Sequence, residues 1–204
     1  MTNILGIDNG LDGALVLLDS AGKVLHRRIM PTITVKDSKR EYDEGAIVRL
    51  IRDWQPGHVI LEKAQSMPEQ GVASTFSIGK GYGLIRGILA ALEMPYTLAH
   101  PRTWQGVIFR DLPKSDTKAM SVIVAGRLWP AVDWRASDRC KKPHDGLTDA
   151  ACIAEYGRRT LRVESPRYDY SKPLTETNEE TSEAIFASID NRVVAKPQQS
   201  ETLF

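Results

Sequence analysis

The sequence predicts an α/β fold, a mixed five-stranded sheet with helices on both faces. Three observations predict it. Three short apolar segments separated by glycine-bearing turns open the chain, strand and helix patterns then alternate, and helical patterns fill the second half. With 204 residues, 42% of them hydrophobic, the chain can bury one sizeable core and has little room for a second full domain.

Residues 3–8 (NILGID), 12–19 (DGALVLLD) and 23–29 read as strands of an antiparallel meander, with Gly10, Gly13 and Gly22 at or beside the turns. Residues 43–54 place Ala46, Ile47, Leu50, Ile51 and Trp54 at helical spacing, and Pro56-Gly57 ends that helix before a strand at 58–62. Residues 63–74 (KAQSMPEQGVAS) are polar and hold Pro68 and Gly71, which predicts a loop leading into a long helix at 75–93. Gly79, Gly81, Gly83 and Gly87 interrupt this helix. Glycine costs about 1 kcal/mol against alanine in a helix, so four of them imply a close approach to the backbone, by a neighbouring helix or by DNA. A fifth strand at 95–100 and helices at 102–109, 116–129 and 145–159 follow. The order βββαβαβααα fits the ribonuclease H fold. Residues 1–162 form the expected catalytic domain. Residues 163–204 are acidic and poor in core residues, which predicts a mobile tail with one weakly amphipathic stretch at 182–189.

The net charge of +1 hides an asymmetry. The tail holds four basic against eight acidic residues, so the body is basic, and Lys114, Lys118, Arg135, Arg139, Lys141 and Lys142 gather around the last acidic motif. No apolar run reaches the roughly 18 residues of a membrane span, and the amino terminus lacks a signal core, so a cytoplasmic location without membrane association is expected. Cys140 and Cys152 lack paired ligand spacing, and Cys152 lies among alanines as a small buried hydrophobe would.

Four carboxylates stand where chemistry can use them. Asp8 ends the first strand just before Asn9-Gly10, and Glu62 ends the apolar run VILE. Asp145 and Asp149 are four apart at a helix start, which places them on one face. Each position also has an ordinary explanation in turn chemistry, a polar strand end or the helix dipole, and turn chemistry accounts for Asn9 and Asp12. Together they are more informative. Two carboxylates on one helix face repel, more so if Asp8 and Glu62 join them, and a hard cation would relieve that repulsion. Hydrolysis of a phosphodiester by two divalent cations about 3.5 to 4 Å apart uses such a set. His144 beside Asp145 leaves the fourth group open: spacing favours Asp145, with His144 as a supporting residue or a plain helix-start histidine.

The segments GIDNGLDGAL, VILEKAQSMP, GYGLIRGILAAL, PYTLAHPRTW and HDGLTDAACIAEYGRR follow one another in the order of the RuvC-like Holliday junction resolvases. The chain resembles this family over roughly residues 3–159, most closely its phage-borne and plastid branch, in which a glycine-rich helix follows the second acidic motif and the last two metal-binding positions lie four apart. The resemblance implies a homodimeric endonuclease that makes paired nicks in four-way DNA junctions. It implies metal ligation by Asp8, Glu62 and Asp149, with Asp145 where some relatives carry histidine. The expected cofactor is Mg²⁺, two ions per site, with Mn²⁺ as a substitute.

The resemblance puts dimer and junction-centre contacts on the glycine-containing helix and the loop before it, where Gln65, Ser66, Met67 and Gln70 would meet bases. Lys80, Arg86, Arg102, Lys114, Lys118, Lys141 and Lys142 are candidates for phosphate contacts. The opening GIDNGLDGA is also similar to the phosphate hairpin of actin-like ATPases, but 204 residues leave no second lobe and there is no phosphate loop. A flap or fork nuclease and a catalytically inactive junction-binding protein are the remaining alternatives. The intact acidic set argues against the latter.

Overall fold

A computed structural model describes residues 2–36, 39–65, 71–112 and 116–161, the Lys118 side chain excepted. The expected tail at 163–204, its stretch at 182–189, and Ser66, Met67, Gln70, Lys114 and the Lys118 side chain lie outside the described residues. The elements are β1 (Ile4–Asp8), β2 (Ala14–Leu18), β3 (Val24–Ile29), β4 (Thr32–Thr34), β5 (Arg40–Tyr42), α1 (Glu44–Trp54), β6 (His58–Glu62), α2 (Val72–Ala91), β7 (Tyr96–Ala99), α3 (Pro101–Ile108), α4 (Thr117–Leu128) and α5 (Asp145–Thr160).

The mixed five-stranded sheet is present, in the order β3-β2-β1-β6-β7. β1 to β3 form the antiparallel meander, and β6 and β7 add in parallel on the other side of β1. Two-residue alternation sorts these strands into two cores. Ile4, Ala14, Val16, Leu18 and Ile60 face α3, α4 and α5 through Trp104, Ala125, Leu147 and Ala151. Leu5, Ile7, Leu15, Leu17, Val59 and Leu61 face α1 and α2 through Ile47, Ile51, Ile85 and Leu89. Helices therefore cover both faces, and the buried strands read as nearly continuous apolar runs for that reason. Among the described residues no helix is long and apolar enough to cross a membrane.

Two features depart from the expected element order. A separate two-stranded hairpin, β4 with β5, stands between β3 and α1, paired Thr32↔Tyr42 to Thr34↔Arg40. Its strands are three residues long, and only Tyr42 among the strand residues is buried. The long helix also begins at Val72 rather than Thr75, with Gly71 in the N-cap position. The start of α1 is as expected, because the Asp43 carboxylate accepts the Ala46 N–H at 2.9 Å and satisfies an otherwise orphaned donor.

Close backbone approaches set the position of α5. A Cβ on Gly6 would collide with the Ala150 carbonyl oxygen, so the glycine lets α5 lie directly on the middle strand. A Cβ on Gly146 would collide with the Asp12 carbonyl oxygen, so the first turn of α5 sits against the β1–β2 turn.

Candidate active site

Parallel pairing of Ile7 with Leu61 brings the next residue of each strand, Asp8 and Glu62, to one carboxyl edge of the sheet. That edge is where ligands of open α/β sheets bind. Asn9 fastens the two strand ends, its side-chain N–H donating to the Glu62 carbonyl at 2.8 Å. The Tyr42 hydroxyl donates to the Asn9 carbonyl at 2.8 Å and ties the hairpin to the same turn. A Cβ on Gly81 would collide with that hydroxyl, so one of the four α2 glycines makes room for Tyr42.

The carboxylates share one electrostatic field. Burial, then the charge of Glu62, push Asp8 from 3.8 up to about 7, against the Gly10 N–H that donates to it at 3.3 Å. Burial also raises Glu62; the Trp104 indole N–H opposes this and the Asp149 charge adds to it. Tyr42 is raised by burial and by the Asp8 charge. The Glu62 charge thus disfavours ionisation of Asp8, and the Asp149 charge that of Glu62, a state that added positive charge relieves.

Two residues that sequence reasoning missed orient members of this set. The Trp104 indole, buried under α3, donates to Glu62 Oε1 at 2.9 Å. The fully buried Ser121 hydroxyl of α4 donates to Asp149 Oδ1. The Cys152 thiol lies beside Ser121, and burial followed by the Asp149 charge raises it, so it remains a neutral core group.

Asp145 is exposed at the head of α5, one turn before Asp149. His144 occupies the N-cap position without a side-chain cap bond, and its Nδ1 is buried without a hydrogen-bond partner among the described residues. Its ring is therefore turned partly inward. Gln65 pairs with His100 at 2.6 Å, Lys80 with Glu41 at 3.2 Å, and Arg86 with the Tyr96 hydroxyl at 3.3 Å. Arg102, Lys141 and Lys142 are exposed.

The donor set is all oxygen and fits a hard divalent cation by chemistry and by mutual repulsion. Among the described residues no three His, Cys, Asp or Glu side chains hold a metal-binding arrangement as they stand. The Trp104 and Ser121 bonds each occupy one oxygen of a carboxylate that such an ion would share.

No sequence-family profile matches the chain, and neither does any curated protein. Solved structures do. RuvC of T. thermophilus in complex with Holliday junction substrate superposes with a TM-score of 0.56 at 14% identity, covering 78% of this chain and 96% of that one. Thermus thermophilus RuvC alone gives 0.50 at 14% identity, over 77% and 95%. The chain has the RuvC fold. Within this fold, Asp8 and Glu62 stand at the carboxyl edge of the central strands, the charge of Asp149 reaches Glu62 from α5, and the β4–β5 hairpin is tied to the same turn through Tyr42.

Proposed function

We propose that the protein is a divalent-metal-dependent DNA endonuclease that resolves four-way junctions by paired, symmetric nicks. Convergence of Asp8, Glu62 and Asp149 into one field, on the RuvC fold, carries this reading. Those three, with Asp145, would hold Mg²⁺. When bound, the cations would activate water and stabilise charge on the phosphate oxygens. The protein's own part is placement. Gly6 and Gly146 set α5 against β1, Asn9 locks the ends of β1 and β6, and Trp104 and Ser121 fix the rotamers of Glu62 and Asp149. The basic body supplies phosphate contacts, with Lys80, Arg86, Arg102, Lys141 and Lys142 as candidates beside Lys114 and Lys118.

A homodimer would put two such sites on two strands of a junction, and α2 offers the face for it. At 100° per residue, Val72, Phe76, Gly79, Gly83 and Gly87 fall on one narrow stripe opposite Gly81, Ile85 and Ile88, which face the core. Val72 is 88% exposed and Phe76 73%. A Cβ on any of the three stripe glycines would meet nothing within 4 Å among the described residues. A smooth apolar stripe of this kind suits a second helix at short range.

The test is an assay of four-way junction, flap, fork and linear duplex with Mg²⁺ and with Mn²⁺. Symmetric paired nicks with ligatable ends in the junction alone support the proposal. Preference for flap or fork makes the protein a related branched-DNA nuclease, and tight junction binding without cleavage under either metal makes it a non-catalytic binder.

A further inference from the structure

The β4–β5 hairpin carries a cationic group that the carboxylate site does not use. Residues 35–40 (VKDSKR) hold Lys36, Lys39 and Arg40 against the single carboxylate of Asp37, and all three cations are exposed. The hairpin adds one strand residue, Tyr42, to the core, so burial of apolar surface does not explain its length. The Val35 N–H closes it on the Lys39 carbonyl at 2.8 Å.

Its stem is bolted to the turn that bears Asp8. Tyr42 bonds Asn9, the residue after Asp8, and the charge of Asp8 acts on the Tyr42 hydroxyl. Across the same turn, Arg40 Nη2 lies 2.6 Å from Asp12 Oδ1, with Asp12 81% exposed and Arg40 48%. That pair is solvated and weak, so an incoming phosphate could take the guanidinium at little cost. At about 3.3 Å per strand residue, Lys39 stands only about 10 Å from Tyr42.

We propose that this hairpin is a DNA-backbone arm: Arg40, Lys39 and Lys36 grip consecutive phosphates of the duplex arm that delivers the strand to be cut. The inference rests on reading the carboxylate site as a DNA-cutting centre and adds to it a contact that fixes the strand's register. With one charge per roughly 3.4 Å along each strand, a span of about 10 Å matches phosphates within about three nucleotides of the site.

The experiment compares the wild-type protein with Lys36→Gln/Lys39→Gln and with Arg40→Gln, by junction binding in Ca²⁺ across a salt series and by single-turnover cleavage in Mg²⁺ with protein in excess. Removing one phosphate-binding cation should lower the slope of log affinity against log salt by about 0.9, and affinity should fall about tenfold or more for the double variant. Cleavage by each variant below saturating protein should fall with its affinity, and the cut positions should spread over neighbouring nucleotides, because the strand's register is no longer fixed. Thermal melts equal to wild type confirm that all variants fold. If wild type cuts junctions while both variants bind with its affinity and salt slope, the arm is wrong and the nuclease reading stands. If wild type binds DNA through the hairpin but never cuts, the nuclease reading fails and the arm stands. Failure of wild type to bind DNA overturns both.

Discussion

Asp8→Asn is expected to stabilise the metal-free protein while it abolishes cleavage. Burial and then the Glu62 charge lift Asp8 from 3.8 to about 7. A folded-state value above the unfolded one means that the folded state binds the proton more tightly, so ionisation of Asp8 opposes folding. The penalty is absent below about pH 4, grows as pH rises, and levels off above about pH 7. At about 1.4 kcal/mol per pKa unit the ceiling is roughly 4 kcal/mol. Asparagine keeps an oxygen for the Gly10 N–H but must place an amide in the same partly buried spot, which leaves a net gain of about 1 to 3 kcal/mol. For a domain of this size that is a rise of several degrees in Tm. The assay is thermal melting of both proteins in chelator between about pH 4.5 and 8.5, repeated with Mg²⁺. In chelator the gap should widen as pH rises; with Mg²⁺ the wild type should gain more than the variant, because only it offers the full carboxylate set. A variant less stable than wild type near pH 8 in chelator, or a gap independent of pH, refutes the shared field at Asp8. A variant that still cuts refutes the site itself.

Trp104→Phe removes the N–H that holds Glu62 down, so the acid limb of the pH–rate profile should move to higher pH, with cleavage at neutral pH reduced about tenfold or more. Ser121→Ala frees the Asp149 rotamer and should raise the Mg²⁺ concentration for half-maximal activity about tenfold, with a small change in Tm. Gly146→Ala drives a methyl into the Asp12 backbone and lifts the start of α5, so activity should drop far more than stability, read by single-turnover rates beside thermal melts. Phe76→Asp with Gly83→Glu places charge on the α2 stripe, and sedimentation should show monomers in place of dimers, with paired nicks replaced by single ones.

What was legible in the sequence is what local rules produce. The meander shows because Gly10, Gly13 and Gly22 mark its turns, and the sheet shows because strands buried on both faces need long apolar runs. Asp8 and Glu62 show because polar residues end those runs. The hairpin escaped because strands of three residues carry no measurable period, and only the β-branched run Thr32-Ile33-Thr34 hinted at it. Trp104 and Ser121 escaped for a different reason. Their partners lie 42 and 28 residues away, so nothing local distinguishes them from core residues. One signal was available for the tryptophan, since a buried indole N–H requires an acceptor, and a core helix after β7 had few candidates besides the carboxylate at the end of β6.

The α2 glycines join these two cases. Counted along the chain they looked like one anomaly, four helix-weakening residues with a single cause. In the fold they divide by face. Gly81 yields space to Tyr42, whose hydroxyl fixes Asn9 and hence the turn bearing Asp8, whereas Gly79, Gly83 and Gly87 face outward and yield space to nothing in the described chain. A helix that accepts four such residues gives up roughly 3 to 4 kcal/mol against alanine. Gly81 recovers its share within the monomer by admitting Tyr42. The other three find no such contact among the described residues, and the same stripe bears the exposed Val72 and Phe76 at its start, so the helix that supports the Asp8 turn on one face carries on its other face the stripe that the proposed homodimer would use.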